Sequence, residues 1–433
     1  MKVNKRKEKS KLSNKFNKKW LVVVTSLLLV TSLVLSACSK TTATTTTTQQ
    51  VTTTTTSTTF GIATTVPTSV TTSTTAPTSA TTSTTSTTTS PTTTSTPTTT
   101  TTPLPIVPLN GAGGTFPAPL YTKWFSEYSK LTGININYQA VGSGAGINQI
   151  TAGTVDFGAS DGIMTDAQVA AAQAASGPIL HIPMTIGPVT IAYNVPGLGT
   201  TQLKLTGEVL AKIYLKEITN WNSPAIAALN PGVALPDLRI AVVHRSDSSG
   251  TTYIFTNYLS KINTEWANTI GNATAVSWIG DIGGSGSAGV AAQVKQISGA
   301  IGYIELAYVI QNNIPYALLQ NSSGNYIAPS LDSASQAAVG VTLPDDMKIM
   351  ITNSGNANAY PIVGFTWILV YQHQTDKVKG TELVNMLWWA IHDGQQFNNA
   401  LTYPQLPTAA VTKAEAEIKS ITFQGQALLN LNP

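Results

Sequence analysis

The sequence predicts an α/β protein preceded by a long Thr-rich segment that does not fold. From about residue 105 to residue 433, strand and helix patterns alternate, which is typical of α/β domains with largely parallel sheets. From Thr41 to about Thr102, the chain is nearly all Thr with Ser and scattered Pro, and it has almost no large apolar side chain to bury. Such a segment cannot offset the entropy of ordering, so we expect a disordered tether.

The first 37 residues have the three parts of an export signal. A Lys/Arg-rich stretch, Lys2–Lys19, precedes an apolar run, Trp20–Leu35, and small residues follow. The apolar run is short for a membrane-spanning helix, which needs about 20 apolar residues. Cys38 is the only cysteine of the chain, so the folded part cannot contain an internal disulfide.

The segment Leu35–Cys38 (LSAC) resembles a bacterial lipobox. The resemblance implies that residues 1–37 are removed and that Cys38 becomes a lipidated N-terminus carrying fatty acids such as palmitate. Residues 38–106 would then be a lipid-anchored linker, and the protein would be held at the cell membrane on its extracytoplasmic face. An ordinary secretory signal cut near Ala37, or a free thiol without a role, is the alternative.

The net charge of the mature chain argues against nucleic acid as a partner. The whole chain has a formal charge of +4, but nine of its 24 basic residues and one of its 20 acidic residues precede residue 20. The remaining 15 basic and 19 acidic residues give −4. A broad basic surface is therefore not expected, and an anion site must depend on local geometry.

The folded part begins with an order of elements that recurs later in the chain. Apolar residues at helical spacing from Leu120 to Leu131 predict a helix that stops at Gly133. The next predicted elements are a strand over 134–140, a turn over 142–146, a helix over 147–152 and a strand over 155–159. The second occurrence has a strand over 240–243, a turn over 245–250 and a helix over 251–259.

Three polar or glycine-rich turns precede helices and are candidate anion sites. They are 111–116 (GAGGTF), 142–146 (GSGAG) and 245–251 (RSDSSGT). A helix N-terminus presents unpaired N–H groups and the positive end of the helix dipole. Glycine allows close approach of the backbone, and Ser and Thr add hydroxyl donors. Any one of these turns alone is more often a simple helix cap.

Together, the three turns resemble the substrate-binding protein of bacterial phosphate-specific ABC transporters. The resemblance covers about residues 109–433 and includes five ordered stretches: 111–121 (GAGGTFPAPLY), 154–161 (TVDFGASD), 229–231 (LNP), 249–252 (SGTT) and 299–305 (GAIGYIE). It implies a protein that holds inorganic phosphate between two lobes by hydrogen bonds and delivers it to a membrane permease. No enzymatic activity, cofactor or metal is implied.

The resemblance also implies the residues that contact phosphate. They are Thr115, Phe116, Ser143, Asp161, Arg245, Ser249, Gly250 and Thr251. Asp161 matches the single acceptor carboxylate of the family, and Asp247 matches the aspartate that pairs with the arginine. Arg245 offers a fixed fork of donors that fits two phosphate oxygens, and Asp247 is close enough in sequence to hold that fork. Gly144 and His244 depart from the family, which often has serine and arginine there.

Two other patterns have plainer explanations. The run 284–289 (GSGSAG) fits the dinucleotide fingerprint G-x-G-x-x-G, but the preceding residues 278–283 are predicted to form a loop rather than the required strand. A flexible turn before a helix over 290–297 is preferred. The four histidines have no metal-ligand spacing, and His392 is interpreted as a helix-terminal residue.

Two rival functions were weighed. A secreted phosphatase would need a metal cluster or an activated nucleophile, and neither can be assembled from the sequence. A wall-structural protein or adhesin is favoured only by the Thr-rich segment. We therefore expect a monomeric, two-lobed periplasmic-binding-protein fold of type II. Lobe I is predicted at 107–184 and 356–433 and lobe II at 185–355, with crossing segments near Pro183–Val189 and Tyr360–Ile368.

Overall fold

The structure is a computed structural model that describes residues 107–199, 201–280 and 282–429. The predicted export signal, Cys38 and the whole of the predicted linker over 38–106 lie outside these ranges. None of the helices described within them is long and apolar enough to cross a bilayer.

The described residues form fourteen strands in three sheets. The central sheet contains β1 (Leu109–Gly113), β2 (Ile136–Ala140), β3 (Phe157–Ser160), β4 (Ile179–Asn194), β6 (Ala241–Arg245), β7 (Ile282–Gly284), β8 (Ala300–Glu305) and β11 (Val363–Tyr371). The small sheets contain β5 (Lys204–Leu205), β9 (Leu318–Gln320), β10 (Tyr326–Ile327), β12 (His373–Gln374), β13 (Thr422–Phe423) and β14 (Gln426–Ala427). The strand order of the central sheet is β2-β1-β3-β11-β4-β8-β6-β7.

Twelve α-helices are described. They are α1 (Ala118–Thr132), α2 (Ser143–Thr151), α3 (Asp166–Ser176), α4 (Gly207–Tyr214), α5 (Pro224–Leu229), α6 (Gly250–Ile262), α7 (Thr264–Thr269), α8 (Gly286–Gln296), α9 (Leu306–Asn312), α10 (Leu331–Gln336), α11 (Lys377–Ile391) and α12 (Thr408–Lys419). Short 3-10 turns cover Asp393–Phe397 and Asn399–Leu401. The predicted stop of α1 at Gly133 is confirmed, because Gly133 caps the helix with a left-handed φ of 79°.

Strand β4 belongs to both halves of the central sheet. Its first part, up to Pro188, pairs with β11, and its second part, from Val189 onward, pairs with β8. Nearly every residue of β4 and all of β11 are buried, which explains why these segments read as continuous apolar runs instead of alternating patterns. The two halves of the central sheet are therefore joined by β4, which pairs with β11 in one half and with β8 in the other.

The expectation of a largely parallel sheet is correct only for the two ends. Strand β1 is parallel to β2 and β3, and β6 is parallel to β7 and β8. In the middle, β11 is antiparallel to β3 and β4, and β4 is antiparallel to β8. The chain leaves the first half of the sheet along β4 and returns along β11, which lies beside β4. These two strands therefore run in opposite directions, and the centre of the sheet is antiparallel.

Two helices begin earlier than the sequence predicted, because glycines taken for turn residues lie inside them. Helix α2 starts at Ser143 rather than 147. A Cβ on Gly146 would lie 2.6 Å from the carbonyl oxygen of Ala112, so the absence of a side chain lets this helix pack closely against β1. Helix α8 starts at Gly286 rather than 290. The predicted loop over 278–283 was also partly wrong, because β7 begins at Ile282.

Candidate functional site

The three polar turns singled out in the sequence follow β1, β2 and β6, and they meet Asp161, which follows β3. Thr115 follows β1, Asp161 follows β3, and Arg245 ends β6. Ser143 and Ser249 lie at the starts of α2 and α6. The side chains are buried: Thr115 is 7% exposed, Arg245 3%, Asp161 1% and the two serines 0%. The fold thus brings polar groups from distant parts of the chain together in one buried cluster.

Ser143 links two of these turns. Its Oγ accepts hydrogen bonds from the backbone N–H of Asp161 at 3.2 Å and from that of Gly250 at 3.0 Å. The same hydroxyl lies 3.5 Å from Asp161 Oδ2, to which it donates. Gly250 is 107 residues away in sequence, so this single hydroxyl connects the start of α6 to the turn after β3.

The described side chains that donate hydrogen bonds to Asp161 are uncharged. Thr366 on β11 donates its hydroxyl to Asp161 Oδ1 at 2.8 Å, and no ion pair to Asp161 is described. Burial raises the pKa of Asp161 to about 7, although the hydrogen bonds from Thr366 and Ser143 and the charge of Arg245 oppose that rise. The carboxyl group can therefore hold or release a proton near neutral pH.

Arg245 has a charged partner instead. Its Nε and Nη2 donate to the two carboxylate oxygens of Asp247 at 2.8 and 2.5 Å. Burial would raise the pKa of Asp247, but the hydrogen bonds and charge of Arg245 outweigh burial and hold that pKa below its usual range. The side chain of Arg245 is 1% exposed and that of Asp247 is 19% exposed. Asp247, the more exposed partner of the pair, thus holds the guanidinium group of Arg245 in place.

The remaining donors of the guanidinium point inward. Arg245 Nη1 donates to Thr251 Oγ1 at 3.2 Å and lies 3.5 Å from Ser287 Oγ. Ser249 caps α6 by accepting the N–H of Thr252 at 3.2 Å, which leaves its hydroxyl proton free to donate. The third predicted turn therefore contributes a cation, hydroxyls and the start of a helix to the same cluster.

Thr115 and Phe116 contribute from the first turn. Thr115 Oγ1 accepts the backbone N–H of Ser287 at 3.1 Å, and its carbonyl accepts the hydroxyl of Tyr308 at 2.7 Å. The ring of Phe116 is fully buried and packs so closely on β4 that a Cβ on Gly187 would lie 2.6 Å from its Cζ. The Phe116 carbonyl accepts the hydroxyl of Tyr403 at 2.6 Å.

Ser287 and Tyr308 were missed by the sequence reasoning. Ser287 is 1% exposed, and its Oγ lies 3.0 Å from Thr115 Oγ1 across 172 positions of sequence. The one available signal was the glycine-rich run 284–289, which was interpreted as a flexible turn in preference to a dinucleotide motif. The structure shows that this run opens α8 against the first turn and that its serine reaches the cluster.

Two glycines are required where the turns touch. A Cβ on Gly250 would lie 2.5 Å from Asp161 Cβ, and one on Gly144 would lie 2.1 Å from Ser248 Oγ. Approaches below 3.0 Å require a neighbour to shift, so a side chain at Gly250 would displace Asp161 and one at Gly144 would displace the side chain of Ser248. Gly144, where the resembled family often has serine, therefore contacts the third turn directly.

Comparisons with known proteins identify the family. A sequence model of the PBP superfamily domain matches residues 71–384. The phosphate-binding protein PstS of Xylella fastidiosa (strain 9a5c) is 41% identical over 312 residues, which are 72% of this chain and 84% of that protein. The PstS protein of Pasteurella multocida (strain Pm70) is 43% identical over 315 residues, which are 72% and 90% of the two chains. The chain belongs to the PstS family of phosphate-binding proteins.

Solved structures support the fold of this PstS-family chain. A high affinity periplasmic phosphate-binding protein, PfluDING, bound with phosphate, aligns with a TM-score of 0.59 at 21% identity over 72% of this chain and 93% of that one. A phosphate-binding protein from Stenotrophomonas maltophilia aligns with a TM-score of 0.55 at 18% identity over 72% and 93%. The protein has the two-lobed, type II periplasmic-binding-protein fold that the sequence predicted.

A cleft of about 350 Å³ borders the cluster in this PstS-family fold. Its lining residues include Thr115, Val141, Asp247, Gly286, Ser287 and Tyr308. Asp247 therefore lines the cleft, whereas Arg245 is not among its lining residues. Within the described ranges, no group of three or more His, Cys, Asp and Glu residues is placed to hold a metal ion.

Proposed function

We propose that this protein binds inorganic phosphate between its two lobes, outside the cytoplasm, and delivers it to an ABC-type phosphate import permease. The observation that carries the proposal is the convergence of Ser143, Asp161 and Arg245 in one buried cluster. The names of the PstS relatives support phosphate as the ligand and binding as the role.

The proposed phosphate contacts come from the three turns and from Asp161, which follows β3. They are Thr115, Phe116, Ser143, Asp161, Arg245, Ser249, Gly250 and Thr251, with Asp247 in a supporting role. Phosphate near neutral pH keeps at least one proton, which it can donate to Asp161 while its other oxygens accept from the fork and the hydroxyls. Since Arg245 is already paired with Asp247, neutral dipoles supply most of the remaining attraction.

We propose that lobe I comprises residues 107–184 and 356–433 and that lobe II comprises residues 185–355. The hydrogen bond from Gly250 N–H to Ser143 Oγ and the contacts between Ser287 and Thr115 then run from one lobe to the other. Closure around phosphate would be a hinge motion at the segments that join the lobes, β4 and β11.

We also propose that a lipid on Cys38 anchors the mature, monomeric protein at the cell membrane after removal of residues 1–37. One acyl chain gives only marginal membrane binding, whereas the two chains of a diacylglyceryl group hold stably. Cys38→Ser should release the protein into the soluble fraction and abolish incorporation of labelled fatty acid. Labelling that is unchanged in this variant would rule the anchor out.

Isothermal titration of the purified protein with phosphate, arsenate and sulfate tests the central proposal. Phosphate and arsenate should bind, since both carry a proton for Asp161, and sulfate should bind far more weakly. Failure of phosphate to bind would overturn the proposal. Turnover of p-nitrophenyl phosphate, with or without divalent metal ions, would instead favour the rival phosphatase.

A further inference from the structure

Glu305 is a buried carboxyl group outside the proposed set of phosphate contacts. It is the last residue of β8, it pairs with Val189 of β4, and it is 0% exposed. In the part of the chain that the structure describes, no Lys, Arg or His hydrogen bonds or forms an ion pair with it. An ionised carboxylate in such a place is costly because nothing offsets its lost hydration.

The hydrogen atoms around Glu305 can be counted. Its Oε1 accepts the backbone N–H of Ala307 at 2.7 Å and so caps α9, and the backbone N–H of Tyr308 also donates to the carboxyl group. Its Oε2 lies 3.1 Å from the hydroxyl oxygen of Tyr403, and that oxygen lies 2.6 Å from the carbonyl oxygen of Phe116. A carbonyl has no proton, so the single proton of Tyr403 must serve the short contact with Phe116. The contact with Oε2 then needs a proton from Glu305.

We propose that Glu305 is a neutral, proton-donating positioning residue, whose carboxylic acid donates to Tyr403 while Tyr403 donates to the Phe116 carbonyl. This inference rests on the proposed function, in which the backbone of Phe116 contacts phosphate. The chain of two hydrogen bonds holds that backbone through the Phe116 carbonyl. The Tyr403 ring also packs edge-on against Phe116, with ring centroids 6.3 Å apart.

Loss of the Glu305 proton would disturb this chain. Oε2 and the Phe116 carbonyl would then compete for one hydroxyl proton, and a negative charge would appear near an anionic ligand. The titratable groups that act on Glu305 are Asp161, Tyr308 and Tyr403, and Arg245 in turn acts on Tyr308. Burial, the largest influence, raises the pKa of Glu305 well above its usual range, and Asp161 adds to that rise.

The test compares wild type, Glu305→Gln, Glu305→Ala and Tyr403→Phe. A glutamine retains an acceptor for Ala307 and an N–H donor for Tyr403 but cannot ionise. We expect Glu305→Gln to bind phosphate within about threefold of wild type near pH 6, whereas Glu305→Ala and Tyr403→Phe lose roughly tenfold or more. The affinity ratio of wild type to Glu305→Gln should fall once the pH is high enough to ionise Glu305, and this ratio cancels the titration of phosphate itself.

Infrared spectroscopy provides a readout that needs no ligand. Near neutral pH, one component of the carbonyl stretch of protonated carboxylic acids should be lost in Glu305→Gln, while Asp161→Asn and Glu417→Gln identify the separate contributions of Asp161 and of Glu417, whose pKa burial raises to about 8. A spectrum unchanged by Glu305→Gln, or a Glu305→Gln variant as weak as Glu305→Ala, would overturn the inference. If wild type bound no phosphate, the proposed function would fail, but the infrared measurement would still decide whether Glu305 carries the proton.

Discussion

The two aspartates of the cluster differ in what surrounds them. Asp247 is paired with Arg245 through two hydrogen bonds, and its pKa is held below the usual range. Asp161 is 1% exposed, its strongest described partner is the hydroxyl of Thr366, and burial raises its pKa to about 7. Asp247 therefore serves as a permanent counter-charge to Arg245, whereas Asp161 serves as an acceptor whose protonation can change near neutral pH.

This contrast assigns different tasks to the two sides of the cluster. The side with Arg245 and Asp247 supplies a rigid guanidinium group whose charge is already balanced by Asp247. It can therefore strengthen phosphate binding without attracting every anion. The side with Asp161 meets the ligand with an acceptor, which favours anions that still carry a proton. Each prediction below removes or alters one element of the contrast.

The largest effect is expected from Arg245→Gln, which removes the fork and leaves Asp247 without its cation. Removing one partner of a buried, hydrogen-bonded charge pair costs about 2–5 kcal/mol of binding free energy. Titration calorimetry with phosphate should show a loss of that size. Lys413→Ala, which breaks an ion pair with the exposed Asp345, is the control and should leave affinity unchanged. Near-wild-type affinity for Arg245→Gln would mean that the fork does not contact the ligand.

The pH dependence of stability should separate the two aspartates. The folded-state pKa of Asp161, about 7, exceeds its ordinary value of 3.8. Its contribution to stability is therefore fully present below about pH 3.8 and lost as pH rises through 7, an effect of up to about 4 kcal/mol. Asp161→Asn should become more stable relative to wild type between about pH 4 and 8, as denaturant melts without phosphate would measure.

Asp247 should show the opposite sign. Because its pKa is depressed in the folded state, it contributes stability above its ordinary pKa that is lost as pH falls through the depressed value. Asp247→Asn should therefore lose stability near neutral pH, and the deficit should shrink in acid. Parallel curves for the two variants would contradict the assignment of different roles.

Ligand selectivity provides the next test. Asp161→Asn can turn an amide N–H toward the ligand, which removes the repulsion of fully ionised sulfate. We expect the ratio of phosphate to sulfate affinity to fall at least roughly tenfold, mostly through better sulfate binding, while arsenate stays close to phosphate. If Asp161 only caps the turn after β3, the variant will change in stability and keep the wild-type selectivity.

The smallest effect is expected from Ser287→Ala, which removes the hydroxyl between Thr115 and Arg245. A lost hydrogen bond of this kind costs about 1 kcal/mol. If the Ser287 hydroxyl links Thr115 to Arg245, stopped-flow measurement should find faster phosphate release from Ser287→Ala with little change in the rate of association. Ser285→Ala, two residues earlier on the cleft wall, serves as the control.

Much of the site could be predicted because its chemistry is local in sequence. The sequence Arg245-Ser246-Asp247 places a fork and its counter-charge two residues apart, so the contact between them is local in sequence, and the distant Gly286 adds only a backbone N–H to Asp247 at 3.0 Å. Glycine followed by a helical pattern likewise predicts a turn that opens a helix. The family resemblance then supplied the roles of Ser143 and Asp161, which their local sequence alone does not distinguish from helix caps.

The sequence by itself determined the α/β class, the three anion-ready turns and the charge balance, since each depends on residues close together in the chain. Only the tertiary structure decided which groups meet. Ser287 reaches Thr115 across 172 positions, and Tyr403 reaches Phe116 across 287. It also decided the proton state of Asp161, because a pKa near 7 follows from burial between segments and not from the neighbours of Asp161 in sequence. Long-range contact and desolvation leave no periodic pattern in a sequence, since both arise only when the chain has folded.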